Sequence, residues 1–391
     1  MWVSKRFDLS WSDLAFAGAR CLRSTDRAEV EARVEAMISP AGAALACLSV
    51  RSAFDLFLEA HALPRGSDIV FSAMTVADMP RIAREHGLNP VPCDLAPGTA
   101  APGIAELERA CKATTRAVVL AHLFGSRVDV APLVDFCHAR RILVVEDCAQ
   151  AYAGRDYAGH PHSDLVLFSF GPIKHATALG GGLAVVRDPA VRDCMRAIHG
   201  GWPEQPRPEY LQRVAKYAGL HALSLRPLYT VIAGVARAMG VDMDGLTNRL
   251  TRGFAGPEFF RRIRRRPSSP LLETLARRLG QDIGRFERQE ARVRELLDES
   301  GLHALCPGAS AVRHTFWLLP IVTSDQEALI SELRAHRFDA SRGRSFAVVG
   351  EDGAASEAER IQRLAVYVPV YPAMSDGEVQ RLGAVLRNAS T

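Results

Sequence analysis

The chain has 391 residues, 48% of them hydrophobic and 24% charged, with a net charge of +4. That balance is ordinary for a soluble globular protein of two or three domains. It gives no basis for a nucleic-acid partner, and no apolar run of about 18 residues is present to suggest a transmembrane helix. The first residues carry charges with no clean apolar stretch behind them, so no signal peptide is expected. The eight cysteines are scattered without a C-x-x-C pair. This speaks against a zinc site or a disulfide framework and for a reducing, cytoplasmic compartment. No metal is expected.

In chain order, the apolar spacing predicts helices at 28–38 and 52–61 and a strand at 68–71. A helix at 75–86, a strand at 90–93, a helix at 104–112 and a strand at 117–122 follow. A helix at 130–139 precedes strands at 142–146, 165–169 and 183–186. Short apolar strands alternating with helices of 10–12 residues predict an α/β domain with a mainly parallel sheet flanked by helices. Beyond Asp188 the pattern changes. A helix at 190–199 leads into a proline-rich loop, then a long apolar stretch dotted with arginine at 210–239. Residues 271–297 read as one long amphipathic helix or two. The segments 315–322, 326–334 and 378–386 suggest a small C-terminal α+β domain. The expected division is 1–200 for the large domain, 201–270 for a helical basic insertion, and 271–391 for a linking helix and the small domain.

The residues with the most chemical meaning lie between 147 and 182. Lys174 follows the apolar strand 165–169 and precedes Gly180-Gly181-Gly182. Asp147 ends the strand 142–146, and ligands in such sheets sit at the carboxyl ends of strands. A partly desolvated lysine loses its proton more readily and can form a Schiff base with a carbonyl. An aspartate there can pair with a protonated pyridine nitrogen, or simply cap the next helix. Ser169 can offer a hydroxyl to a phosphate. Ala149 is small enough for a flat ring to lie on it, and Gln150 can bond to a ring hydroxyl or to a loop. His122 read alone is a packed core histidine.

Five segments, VVEDCAQAYAG (144–154), FSFGPIKHATALGGG (168–182), VVLAHLFG (118–125), IVFSAMTVADMP (69–80) and VYVPVYPAMSDGEV (366–379), together resemble the DegT/StrS sugar aminotransferases. These are fold-type-I enzymes of pyridoxal 5'-phosphate (PLP). The resemblance implies that Lys174 is the Schiff-base lysine and that Asp147 pairs with the pyridine nitrogen. Ala149 would back the ring, Gln150 would meet its hydroxyl side, and Ser169 would bind the phosphate. Ser52 and Ala53 stand in the place of a Gly-Thr-Ala phosphate loop, with Arg51 adding a positive side chain. Thr75-Val76 replaces a threonine-aromatic pair, so the stacking ring becomes aliphatic. The family's Asn-Tyr-Arg-Met segment, through which a neighbouring subunit reaches the phosphate, is not recognisable; Arg266 and Asn248 are candidate substitutes.

The implied activity is PLP-dependent transfer of an amino group from an amino acid, glutamate or glutamine, to a keto group on a sugar or sugar-like substrate, nucleotide- or lipid-linked or free. The alternatives are another PLP reaction, lyase or desulfurase, although a desulfurase wants a mobile loop cysteine and Cys148 sits beside the pyridine acid, and an eroded, membrane-associated or regulatory family member. A homodimer is implied because the family's site lies between subunits. The insertion carries twelve Lys/Arg against five Asp/Glu over 201–266. Its apolar, arginine-flanked stretch fits a helix packed on the protein or across a dimer, and also a peripheral membrane contact through 210–266.

Overall fold

The computed structural model describes the chain except residues 5, 6, 242, 252, 255, 283, 343–345 and 391, and the side chains of 237, 244, 248, 249, 251, 389 and 390. Its centre is a seven-stranded sheet. In chain order the strands are β1 (Ala44–Cys47), β2 (Asp68–Ser72), β3 (Asn89–Cys93), β4 (Thr115–Ala121), β5 (Leu143–Asp147), β6 (Leu165–Ser169) and β7 (Gly182–Val186). The order across the sheet is β1-β7-β6-β5-β4-β2-β3. The pairings from β3 to β6 are parallel; β7 runs antiparallel to both β6 and β1. The fold is therefore α/β with a mainly parallel sheet, as the alternation of short strands and helices predicted.

Such a sheet must be covered on both faces, because its strands are apolar on both. Along β4 and β5 the side chains alternate: Val119 and Val145 join the core under helix α3 (Val50–His61), while Val118, Leu120 and Val144 join a core on the other side. The helix α1 (Trp11–Cys21), capped by Ser10, and the helix α2 (Arg27–Ile38) cover the β1 end of that second face. The spacing of 10–21 and 44–47 alone did not single out α1 or β1. Both exist because β7 and the later helices supply partners for them.

Two departures have plain causes. The predicted helix at 75–86 begins only at Asp78, because Met74–Thr75 pairs antiparallel with Ala347–Val348 of the C-terminal domain. The apolar stretch 210–239 divides into α8 (Arg207–Leu223) and α9 (Arg226–Ala238), with Pro227 in the first turn of the second helix, where its missing N–H costs nothing. The stretch 271–297, expected as one helix or two, is two: α12 (Ser269–Leu279) and α13 (Gly284–Ser300).

The C-terminal domain has a three-stranded antiparallel sheet of β8 (Leu319–Val322), β9 (Ser341–Arg342) and β10 (Ala365–Val368), with β10 central. Its core includes Trp2, so the N-terminus crosses from the large unit to the small one, beyond the expected 1–200 boundary. Tyr371 ties it further, donating its hydroxyl to the Val3 carbonyl at 2.6 Å. The basic insertion is not a separate body. Tyr210, Val214 and Tyr217 of α8 pack into one face of the large domain, and Phe259 and Ile263 pack into the other. Among the described residues, α9 carries an exposed apolar stripe of Leu228, Val231 and Val235, with Met239 just beyond. Among the described residues no helix is long and apolar enough to cross a membrane.

One close approach sets the geometry of the site. Gly182, at the start of β7, lies against the N-terminus of α3, where a Cβ would stand 2.6 Å from the Ser49 carbonyl carbon and from the Val50 nitrogen. Both are backbone atoms and neither can rotate away. Gly182→Ala should lower stability by about 1–3 kcal/mol in denaturant unfolding, whereas Gly219→Ala, with open space around it, should not.

Candidate active site

Two neighbouring acids end β5, and strand alternation sends their side chains to opposite faces. Glu146 is fully buried and saturated. It accepts from His122 Nε2 (2.9 Å), the His160 N–H (2.7 Å), Ser163 Oγ (2.9 Å) and the Tyr157 hydroxyl. Burial would raise its pKa, but the hydrogen bonds and charge of His122, with Tyr157 and His160, hold it down to about 2. The Val128 N–H donates to His122 Nδ1 (3.3 Å), which leaves the proton on Nε2 and aims it at Glu146. His122, Glu146 and Cys148 lie close enough to suggest a metal. The oxygens of Glu146 already have their partners, however, so the cluster is a hydrogen-bonded support for the end of β5.

Asp147 is held differently. Its Oδ1 accepts only the Ala149 N–H at 2.9 Å, and its other oxygen has no partner among the described residues. Burial pushes its pKa up, against the pull of the Ala149 N–H, Lys174, His122 and Arg51. This is a carboxyl short of positive charge. Lys174 has the complementary condition. Burial pulls its amine down to about 7, Asp147 opposes the fall, and Arg51 adds to it. The lysine Nζ lies 3.8 Å from the centre of the Trp317 ring, whose Nε1 donates to the Ile173 carbonyl at 2.7 Å. Trp317 comes from the C-terminal domain, and nothing in its local sequence marks it.

Ser169, at the end of β6, pairs with Gly182 and so faces the start of α3. A Cβ placed on Gly171 would come 3.7 Å from Ser169 Oγ and 4.0 Å from Lys174 Cγ, so these two side chains border one small space. Ala149 and Val76 edge the same apolar cluster on the α3 side of the sheet. Gln150 already uses its amide oxygen to accept the Phe124 N–H at 2.9 Å, which leaves its amide nitrogen for another partner. Thr75 is buried and its backbone pairs with Ala347.

The groups expected to meet a phosphate at Ser52 and Ala53 have partners within the chain. The Ser52 hydroxyl donates to the Ile263 carbonyl (2.7 Å), its N–H bonds Ser49 Oγ (3.2 Å), and the Ala53 N–H bonds the Ser49 carbonyl. The helix begins earlier than the predicted 52–61, with Ser49 as its cap. The N–H groups left at its positive end are those of Val50 and Arg51. Arg51 donates from Nε to Asp78 (2.6 Å), which holds its side chain over the first turn. Arg266 donates from Nε to the Trp202 carbonyl and is tied to the 203–204 loop. It therefore contributes to the insertion's own fold, not to this site within the chain. The side chain of Asn248 lies outside the described residues.

Fold and site together define an α/β protein with one lysine and one charge-starved acid at the carboxyl ends of parallel strands, beside a helix N-terminus. The chain belongs to the DegT/DnrJ/EryC1/StrS aminotransferase family, whose profile matches residues 20–217. It is 31% identical over 151 residues to a dTDP-4-dehydro-2,3,6-trideoxy-D-glucose 4-aminotransferase of Saccharopolyspora spinosa. That match covers 37% of this chain and 39% of the relative, so the chain spans about two fifths of the curated relative's length. Over its whole length the fold is similar to the aminotransferase TlmJ from Streptoalloteichus hindustanus (TM-score 0.71, 18% identity, 100% of this chain and 99% of that one). It is also similar to the PLP-form of the putative sugar aminotransferase Spr1654 from Streptococcus pneumoniae (TM-score 0.69, 15% identity, 99% and 97%).

A lysine with a lowered pKa destabilises the fold. Between pH 7 and about 10.4 the folded chain sheds a proton that the unfolded chain keeps, so stability rises with pH across that window. Lys174→Met removes this dependence. In thermal unfolding of the ligand-free protein, the melting-temperature gain of the variant over wild type should be largest below pH 7 and shrink toward pH 10. A gain independent of pH would contradict the depressed lysine.

Proposed function

We propose that the chain is a PLP-dependent aminotransferase that moves an amino group from an amino acid, glutamate or glutamine by family resemblance, to a keto group on a sugar or sugar-like substrate. The observation that carries this reading is the complementary pair of Lys174, poised near neutrality, and Asp147, buried without a full counter-charge. These residues fit PLP. A pyridinium nitrogen would give Asp147 the positive partner that burial leaves it wanting. Ser169, the Val50 and Arg51 N–H groups and the Arg51 guanidinium would hold the phosphate. When bound, PLP supplies an electron sink for the carbon that loses its proton.

The chain's own residues do the rest. Lys174, with a pKa of about 7, is present in both charge states at neutral pH. It can attack a carbonyl carbon through Nζ, and later take a proton at Nζ and give it back, because its driving force is balanced in both directions. Asp147 keeps its carboxylate aimed at one atom, since Ala149 fixes Oδ1. Glu146 and His122 hold the strand end beneath it. Trp317 borders the lysine and limits water around the amine.

The desulfurase alternative loses its support. Cys148 is fully buried, and burial with the neighbouring Glu146 and Asp147 pushes its thiol well above the ordinary value, so no thiolate is available. The intact Lys174 and Asp147 argue against an eroded, non-catalytic member. The homodimer rests on the family resemblance, as does a cytoplasmic location. A peripheral membrane contact through 210–266 rests on the exposed α9 stripe and the basic charge of the insertion, and co-sedimentation with anionic vesicles tests it.

The protein purified with PLP should be yellow and should transfer an amine. Lys174→Ala should lose both the visible absorbance and transfer. Asp147→Asn should lose roughly 100-fold or more in transfer rate while the protein stays folded. An active, colourless Lys174→Ala variant would refute the assignment.

A further inference from the structure

Lys174 is carried by a loop whose own bonds lie at its two ends. The Lys174 N–H donates to the Gly171 carbonyl (3.0 Å), and the Phe170 carbonyl accepts the N–H groups of Ala178 and Gly180 (3.1 Å each). Between these ties Ala176 stands at φ +50°, in the left-handed region. A Cβ there crowds the following carbonyl oxygen. A residue in that conformation persists only where its surroundings over-determine it.

An outside tie comes from the N-terminal segment. The Ala176 N–H donates to Asp8 Oδ2 at 2.7 Å, the short distance of a bond to a charged acceptor. Ala176 is 2% exposed, so without that acceptor its N–H would be buried unpaired. Asp8 is itself clamped. Arg278 of α12 and Arg285 of α13 donate to the same oxygen at 3.0 and 2.9 Å, and Arg278 also donates to Asp13 at 2.8 Å. Burial would raise the Asp8 carboxyl, but Arg278 and Arg285 hold it below its ordinary value, so it remains an acceptor at neutral pH.

The residue before the lysine is tied from the C-terminal half. Trp317 Nε1 donates to the Ile173 carbonyl at 2.7 Å. Gln289 of α13 donates to the carbonyls of Thr315 (3.2 Å) and Phe316 (3.0 Å), which fixes the approach to Trp317. The lysine is therefore bracketed, at Ile173 and at Ala176, by segments far from it in sequence. Burial, Asp147 and Arg51 set the state of its amine; Asp8 reaches it through the backbone.

We propose that Asp8 is a positioning residue for the Schiff-base lysine: it fixes Ala176 in its left-handed conformation and so sets where Lys174 Nζ stands beside Trp317. The proposal rests on the amino-transfer reading above.

The test follows the amine and not turnover. PLP is added to the ligand-free protein, and the rise of visible Schiff-base absorbance gives a rate. Borohydride then fixes the linkage and peptide mapping locates it; with four lysines in the chain, Lys5, Lys112, Lys174 and Lys216, the assignment is direct. Asp8→Asn keeps an acceptor in the place of Oδ2 and discards the charge. Asp8→Glu keeps the charge and moves the acceptor by one carbon, and Asp8→Ala removes both. At a temperature where melting curves show each protein folded, the rate for Asp8→Asn should stay within about threefold of wild type, while Asp8→Glu and Asp8→Ala should fall at least about tenfold. If Asp8→Ala does not fold, Asp8→Glu, which keeps a carboxylate for the arginines, decides. Equal rates in all the folded proteins overturn the positioning role. So does a loss in Asp8→Asn as large as that in Asp8→Glu or Asp8→Ala, which would make Asp8 a charge partner of the arginines. A wild-type protein that forms no Schiff base, or forms it at another lysine, overturns the amino-transfer reading and this inference with it.

Discussion

The two acids that end β5 impose the constraint on which the site depends. A carboxylate buried at the centre of a sheet is stable only if donors surround it. Glu146 has them, from His122, Tyr157, His160 and Ser163. Asp147, one residue on and facing the other way, has one backbone N–H. The fold therefore places a satisfied acid beside an unsatisfied one and gives them different work. The first anchors the strand end and the His122 loop. The second is left short of positive charge in the same volume where Lys174 is left short of solvent. Each condition is unfavourable alone, and on the function proposed above a ligand with a cationic nitrogen and a carbonyl would relieve both.

The positive end of α3 is the second constraint. Gly182 lets β7 rest directly on Ser49 and Val50, so Ser169, which pairs with Gly182 across the sheet, is brought to the same helix start. The insertion then closes this corner from outside, because Ser52 donates to the Ile263 carbonyl. A segment that departs from the family pattern thus shapes the corner at the start of α3. The remainder of the insertion is divided between core packing by α8 and an exposed stripe on α9. The N-terminal residues complete the other side of the lysine: Asp8 joins Arg278 and Arg285, and it also accepts the Ala176 N–H at 2.7 Å, two residues after Lys174.

Much of this was legible in the chain. The strands from 68 to 186 show as short apolar runs because a parallel sheet is buried on both faces, so their boundaries shifted by only one or two residues. Lys174, Asp147 and Ser169 draw attention in the sequence because Asp147 and Ser169 end strands and Lys174 comes five residues after one, and strand ends are where such sheets bind ligands. What failed to show was long-range. The helix expected from Thr75 starts late because of a pairing with residues 347–348. The N–H groups left open at the start of α3 are those of Val50 and Arg51 because Ser49, not a later residue, caps the helix. Trp317 and Gln289 reach the lysine's surroundings from the C-terminal half, and local pattern holds no information about that approach.

The sequence by itself determined the alternation of strands and helices, the order of the chemical residues along it, and the family. Those follow from side-chain periodicity and from neighbours within a few positions. The tertiary structure alone decided which acid is saturated and which is open, how far burial moves the lysine, and how Asp8 and Asp13 pair with arginines beside it. These depend on burial and on partners up to 277 residues away, as between Asp8 and Arg285. Desolvation and charge pairing are properties of a packed volume, and a linear pattern does not contain them.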